Sequence, residues 1–419
     1  MTDPNTQNIL YKNKKIMLSL SNKNSILKVN SSELSGKFSS QEKGWELKLN
    51  DLGRIAKNSS LLKKLHLEKG DFTLYKNKND KFTRFKSNID YPYKLLVRNN
   101  IPLDKYKIKG KIYAEKVHIN INNKIHIAIK DSIDVKMNNA PINITEVLRL
   151  IKDIPKTPKK SKNLSVLLQA NNSILYVNAQ RRILYDTIDL QFYKDIITSQ
   201  LTYAQGKAGL RFENKKFHLY GKNFNDKFMN KLFSLSKFAK GTLDFSLTGN
   251  TDAYGGAIYV KETTINDYKT LNNILAFINT VPSLITFKLP GYNNEGLYVN
   301  KAYIKFKYNE NIFNLTDMYL DSKELDIFGN GVADFKNDSI DIILNLKTDL
   351  GSDLAKVPLV GYIILDGDSI STTLSIKGKA SDPIVKSLIA EDIIVAPLNI
   401  IKRTLSLPYV LIRDALDNK

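Results

Sequence analysis

Cysteine is absent from the 419 residues, which removes disulfide frameworks, thiol nucleophiles and thiolate-bound metals at one stroke. Histidine is scarce. His66, His118, His126 and His218 are scattered, and no His-x-x-x-His pair, Gly-x-Ser-x-Gly elbow or Walker-type glycine loop occurs. His118 and His126 fall on the polar side of alternating segments, where histidine is more often solvated than ligating. Asp366 and Asp368 flank Gly367, the composition of a tight turn rather than of an acid pair. Neither an enzyme activity nor a metal or cofactor is expected. Long hydrophobic runs are missing too: a spanning helix needs about 18 apolar residues. The longest candidate, Ile393 to Ile401, is short and interrupted by Pro397 and Asn399. Residues Met1 to Thr6 show no charged segment leading into an apolar one, so no signal peptide is read there.

Acidic residues are the minority charge, 42 against 63 Lys and Arg, for a net charge of +21. Such an excess fits a nucleic-acid partner, an anionic membrane surface, or a general bias toward Lys, Asn and Ile. Because the basic residues are interleaved with Asp and Glu along the chain rather than concentrated, nucleic acid is not an expected partner. The hydrophobic share of 42% is enough for a large core.

Period-two alternation is what the sequence has in abundance. Ala302, Ile304, Phe306 and Tyr308 share one face of a strand and Lys301, Tyr303, Lys305 and Lys307 the other. Leu325, Ile327, Gly329, Gly331, Ala333 and Phe335 line up likewise. Ile340, Ile342, Leu344 and Leu346 oppose Asp341, Asn345 and Lys347, and Leu374 and Ile376 close the series. Earlier, Val117, Ile119 and Ile121 are followed by Asn122-Asn123 and then Ile125, Ile127 and Ile129, a hairpin pattern. Asn171-Asn172 reads as a turn after the Leu164–Ala170 alternation. Helical spacing is confined to short pieces: beyond Asn50, over Thr145 to Ile151, over Asn225 to Phe238, around Leu271 to Ile278, and in an apolar C-terminal tail after Pro383. The fold class expected is mainly β, an elongated, curved, antiparallel, groove-like sheet with a few short helices and a helical C-terminal tail. Residues 1–152 form a β-rich region, 153–163 a Lys- and Pro-rich linker or loop, and 164–419 a second β-rich region.

Within the second region, five features follow one another: Gly255-Gly256 leading into a strand, Asn272 to Pro282 as a helix, Phe328 to Phe335, Val357 to Ile364, and Gly378 with Asp382-Pro383. Over about residues 200–411 this succession resembles the C-terminal domain of the AsmA-like family, bacterial relatives of bridge-like lipid transfer proteins. The resemblance implies a curved sheet whose groove carries phospholipid across the periplasm. It implies a periplasmic, inner-membrane-associated protein with phospholipid acyl chains, the membrane surface and other envelope proteins as partners. Members usually begin with a membrane anchor, which this chain does not show. Two readings of the apolar face stand side by side: ordinary core packing, or the floor of a groove for lipid tails. The groove candidates are Ala302, Ile304, Phe306, Leu325, Ile327, Ile340, Ile342, Leu344, Leu346, Leu374 and Ile376. Ile400, Ile401, Lys402 and Arg403 are the candidates for contact with a membrane, where basic residues meet anionic headgroups, against a capping role for the tail. A non-catalytic scaffolding protein of envelope assembly and a basic protein docked on anionic lipid are the rival functions.

Overall fold

The computed structural model describes residues 17–21, 26–30, 34–39, 44–58, 67, 69–153, 165–234, 238–250, 252–266, 296–322, 326–349, 364–366, 369–379, 382–387 and 393–394. The chain is mainly β, with open, curved sheet rather than a barrel. It divides into two compact units, Met1–Asn178 with Thr187–Asp195, and Ala179–Asp186 with Ile196–Lys419. The Lys- and Pro-rich stretch 154–163 lies outside the described residues.

In the first unit the strands Lys69–Asn77, Thr83–Asp90, Lys105–Ile112, Val117–Ile121, Ile125–Ile129 and Ser132–Asn138 pair as successive antiparallel neighbours. Asn122 and Asn123 both adopt positive φ, 52° and 56°, which builds the tight turn that the Asn-Asn pair predicts. A second expectation fails at Asn171-Asn172. The strand Ser165–Tyr176 runs straight through the pair, and only Asn172 has positive φ, 48°. One left-handed residue kinks a strand, whereas this tight turn needs two in succession. The same strand pairs in parallel with Ser132–Asn138, so the sheet is mixed rather than wholly antiparallel. Parallel neighbours need a crossover connection, and the helix Ile144–Asp153 lies on it. A core of Leu96, Tyr106, Ala140 and Ile142 sits beneath. The Leu95 N–H donates to the Tyr106 hydroxyl at 2.8 Å. Burial, then a 2.6 Å hydrogen bond to Asp153, pushes the Tyr93 phenol up to about 12.

The second unit is an antiparallel series. It runs through Ile196–Tyr203, Gly206–Glu213, Lys216–Asn225, Thr242–Asn250, Ala253–Ile265, Leu297–Asn309, Ile312–Ser322, Asp326–Asp334, Ser339–Asp349, Ser369–Lys379 and Asp382–Ser387. The helix Asp226–Phe233 starts where the Asn225 side chain accepts the Phe228 N–H, satisfying one of the unpaired donors of a helix start. It ends five residues earlier than the periodicity through Phe238 suggests, because Ser234 turns left-handed at φ 51°. Phe224, Phe228, Met229, Leu232, Phe233 and Leu243 pack there. The C-terminal tail begins differently from the helix expected of it. Ile384 and Val385 belong to the strand Asp382–Ser387, paired with Ser369–Lys379, and Ile393–Ile394 adds a further bridge. The expected helix around Leu271 to Ile278 lies outside the described residues. Among the described residues no helix is long and apolar enough to cross a membrane.

Candidate functional site

Strand register brings the sequence-predicted apolar residues into rows across the second unit. One row joins Leu247, Gly256, Phe306, Leu315, Gly331, Ile342 and Ile376. The next joins Phe245, Ile258, Ile304, Met318, Gly329, Leu344 and Leu374. A third joins Leu243, Val260, Ala302, Leu320, Ile327 and Leu346. On the far side, Tyr254, Tyr308, Phe313, Ala333 and Ile340 form a fourth. None of these positions carries a formal charge. The apolar surface continues without a polar break because the strands alternate, and the register shift between Leu315 and Met318 absorbs the one change of parity along Ile312–Ser322, so that Leu315 and Phe313 fall on the same face as Met318 and Leu320.

Coverage along the face is uneven. Ile342 and Ile376 are 1% exposed and Phe306 and Leu346 2%, so these side chains are packed. Ile327, Ile340, Leu344 and Leu374 are buried as well. Ala302, Ile304, Ile258, Met318 and Leu320 are only half-buried, and they adjoin one another in the second and third rows. The small residues of Asp326–Asp334 explain the tight part. A Cβ at Gly329 would lie 2.6 Å from Leu344 Cδ2 and 3.0 Å from the Met318 methyl, so neighbouring side chains fold over the glycine and fill its place. Gly331, at φ 156°, acts differently: a Cβ there would meet the backbone of the facing strand at the Asp341 carbonyl oxygen and Ile342 Cα, so the glycine permits the strand's left-handed backbone and close approach. Leu325 lies outside the described residues, as do Ile400, Ile401, Lys402 and Arg403.

The opposite face of the same strands is wet and electrically balanced. Lys301 faces Asp321 at 3.7 Å, Lys305 faces Asp317 at 3.3 Å, and Lys377 faces Asp341 at 3.2 Å. Between them Tyr259, Tyr303, Tyr319 and Phe328 form a row of tilted rings across four strands, with ring centroids 6.0, 5.8 and 4.9 Å apart. Partial burial, then a hydrogen bond to Asp317, raises the Tyr303 phenol, and the bond to Asp317 raises the Lys305 ammonium. His118 and His126 are exposed, and His126 Nδ1 lies 3.0 Å from Asn120 Nδ2. Among the described residues no three His, Asp or Glu side chains converge as a metal site would require.

A meandering, mostly antiparallel sheet with a continuous uncharged face on one side defines a β protein with an extended apolar surface. The family described as YhdP protein matches residues 12–385, and the chain belongs to that family. Comparison with curated proteins and comparison with solved structures return no match.

Proposed function

We propose that this chain binds phospholipid acyl chains along the apolar face of its second unit and supports lipid transport between the inner and outer membranes as an AsmA-like envelope protein. YhdP membership suggests this envelope role. The observation that carries it is the uncharged face running in register across eight strands, from Lys216–Asn225 to Ser369–Lys379. Seven interstrand steps of about 4.8 Å give a width of roughly 34 Å. That exceeds the roughly 15 Å of one acyl chain, half the hydrocarbon thickness of a bilayer. A charge midway would raise a barrier of several kcal/mol, and none is present in the rows. The half-covered patch around Ile304, Met318 and Leu320 is where a tail gains most by contact, at about 25 cal/mol per Å² of apolar surface removed from water.

The process is passive: tails rest on the apolar face, headgroups stay in water, and no cofactor or catalytic step takes part. The protein works in the periplasm in association with the inner membrane, beside other envelope proteins. The near-complete burial of Ile342, Leu346 and Ile376 favours a second reading, a scaffolding protein of envelope assembly with an ordinary core. Mass spectrometry of the organic extract from purified, denatured protein separates the two. Phospholipid in amounts comparable to the protein is expected, and an extract free of it leaves the scaffold.

A further inference from the structure

The first unit carries a feature of the opposite kind. On the polar face of its sheet, register places Arg84 directly across from Lys111 and Lys86 directly across from Lys109. Like charges in facing positions destabilise a sheet, and here two such pairs stand side by side. His118 extends the first row beyond Lys111, and His126 and Lys136 extend the second beyond Asn120. These side chains line a cleft of about 680 Å³, within the range of small-molecule sites. Its permanent charges are five cations, Arg84, Lys86, Lys109, Lys111 and Lys136, against one carboxylate, Asp134. Arg84 is paired with Asp80. Among the described residues no carboxylate lies at salt-bridge distance from Lys86, Lys109, Lys111 or Lys136. Aromatic rings hold the cations in place. Arg84 and Lys111 each lie 4.7 Å from the Phe82 ring centroid, and Lys86 lies 5.9 Å from that of Tyr75.

A general lysine bias does not account for this. The wet face of the second unit has facing lysines too, but Lys261 and Lys301 each have an aspartate at salt-bridge distance, Asp244 and Asp321, and Lys305 and Lys377 stand opposite aspartates. Lys207 and Lys222 also face each other, but no second such pair stands beside them. Repulsion built into facing pairs is relieved when an anion with several acceptor oxygens sits between them. Lysine ammoniums and a guanidinium suit a phosphate group, which accepts several charge-assisted hydrogen bonds at once. We infer that this cleft binds a phosphate-bearing anionic group, and that its carrier is the headgroup of an anionic phospholipid. The phosphate chemistry follows from the cleft alone. The lipid source rests on the function proposed above.

The test uses the full chain and mixed phosphatidylcholine–phosphatidylglycerol vesicles, with pure phosphatidylcholine vesicles beside them. Binding to the mixed vesicles and not to the neutral ones is expected, weakening as salt is added. The combined Lys86→Gln, Lys109→Gln and Lys111→Gln variant loses about a hundredfold in affinity, at roughly fivefold per lysine. The matched variant Lys301→Gln, Lys305→Gln and Lys377→Gln keeps its binding. Should the triple cleft variant fail to fold, the single Lys109→Glu, which supplies Lys86 with a partner, must weaken binding while leaving the fold intact. Soluble short-chain phosphatidylglycerol competes better than inorganic phosphate. Equal competition by inorganic phosphate overturns the lipid source. Equal loss in both triple variants, equal binding to neutral vesicles, or tighter binding to a single-stranded oligonucleotide than to the mixed vesicles overturns the site. Phospholipid extracted from the second unit's apolar face is unaffected by the cleft variant, so the two readings fail separately.

Discussion

The two units differ in how far carboxylates offset the lysines on the wet faces of their sheets. In the second, strand register sets lysine against aspartate three times over, and where it sets Lys261 against Lys301 both have an aspartate at salt-bridge distance. In the first, register sets Arg84 against Lys111 and Lys86 against Lys109, and the face is left wanting an anion. The dry sides differ as well. In the second unit Ile342 and Ile376 are sealed at 1% exposure, while in the first Ile119, Ile127 and Val135 are half-buried. One sheet is closed by its own side chains over most of its apolar face, and the other has its unsatisfied chemistry on the polar side. Composition averaged over the chain hides both facts, because lysine and isoleucine are abundant in each unit.

The largest effect expected from breaking this contrast is in the sealed rows. Ile342→Ala removes a packed side chain beside Gly331 and Ile376 and is expected to cost about 2–5 kcal/mol. Ile127→Ala in the first unit removes a half-covered one and costs about 1 kcal/mol. Chemical denaturation followed by circular dichroism compares them, and equal losses would erase the difference in packing. Smaller, and of opposite sign in the two units, are the charge swaps. Lys109→Glu gives Lys86 a partner and raises the stability of the first unit by about 0.2–1 kcal/mol, whereas Asp317→Lys opposite Lys305 lowers that of the second by a similar amount. The single tryptophan, Trp45, lies in the first unit and reports the first of these by fluorescence. Smallest is Ile343→Ala, on the wet face at 38% exposure, expected to change stability by no more than about 0.5 kcal/mol. A loss as large as that of Ile342→Ala would mean that the wet face is covered.

Much of the second unit could be read before its structure was known. Alternation assigned Ile304, Phe306, Ile340, Ile342, Leu344 and Leu346 to one face, and register unites them with Leu374 and Ile376. Period two is a local property, so it survives in the sequence. Pairing is not local. Asn122-Asn123 and Asn171-Asn172 look alike as dipeptides, yet one turns the chain and the other bends a strand that runs parallel to its neighbour. Which of them turns depends on whether the second residue's partner also goes left-handed, and that is set by the strands beyond. The cationic cleft was missed for the same reason. Lys86 and Lys109 are each visibly on a polar face, but only the register between strands far apart in the chain sets one against the other. The uneven coverage of the apolar face was invisible too, because it depends on how Gly329 lets Leu344 and Met318 close over it and on the close backbone approach at Gly331.

Lipid binding by the second unit requires tails to touch the half-covered part of its apolar face. A photo-crosslinking amino acid placed at Ile304, with a second protein carrying it at the adjacent, outward-facing Lys305, measures that contact in cells. Phospholipid captured at position 304 and absent at 305 is the predicted result. Equal capture at both positions, or none at 304 in a folded protein, would contradict it.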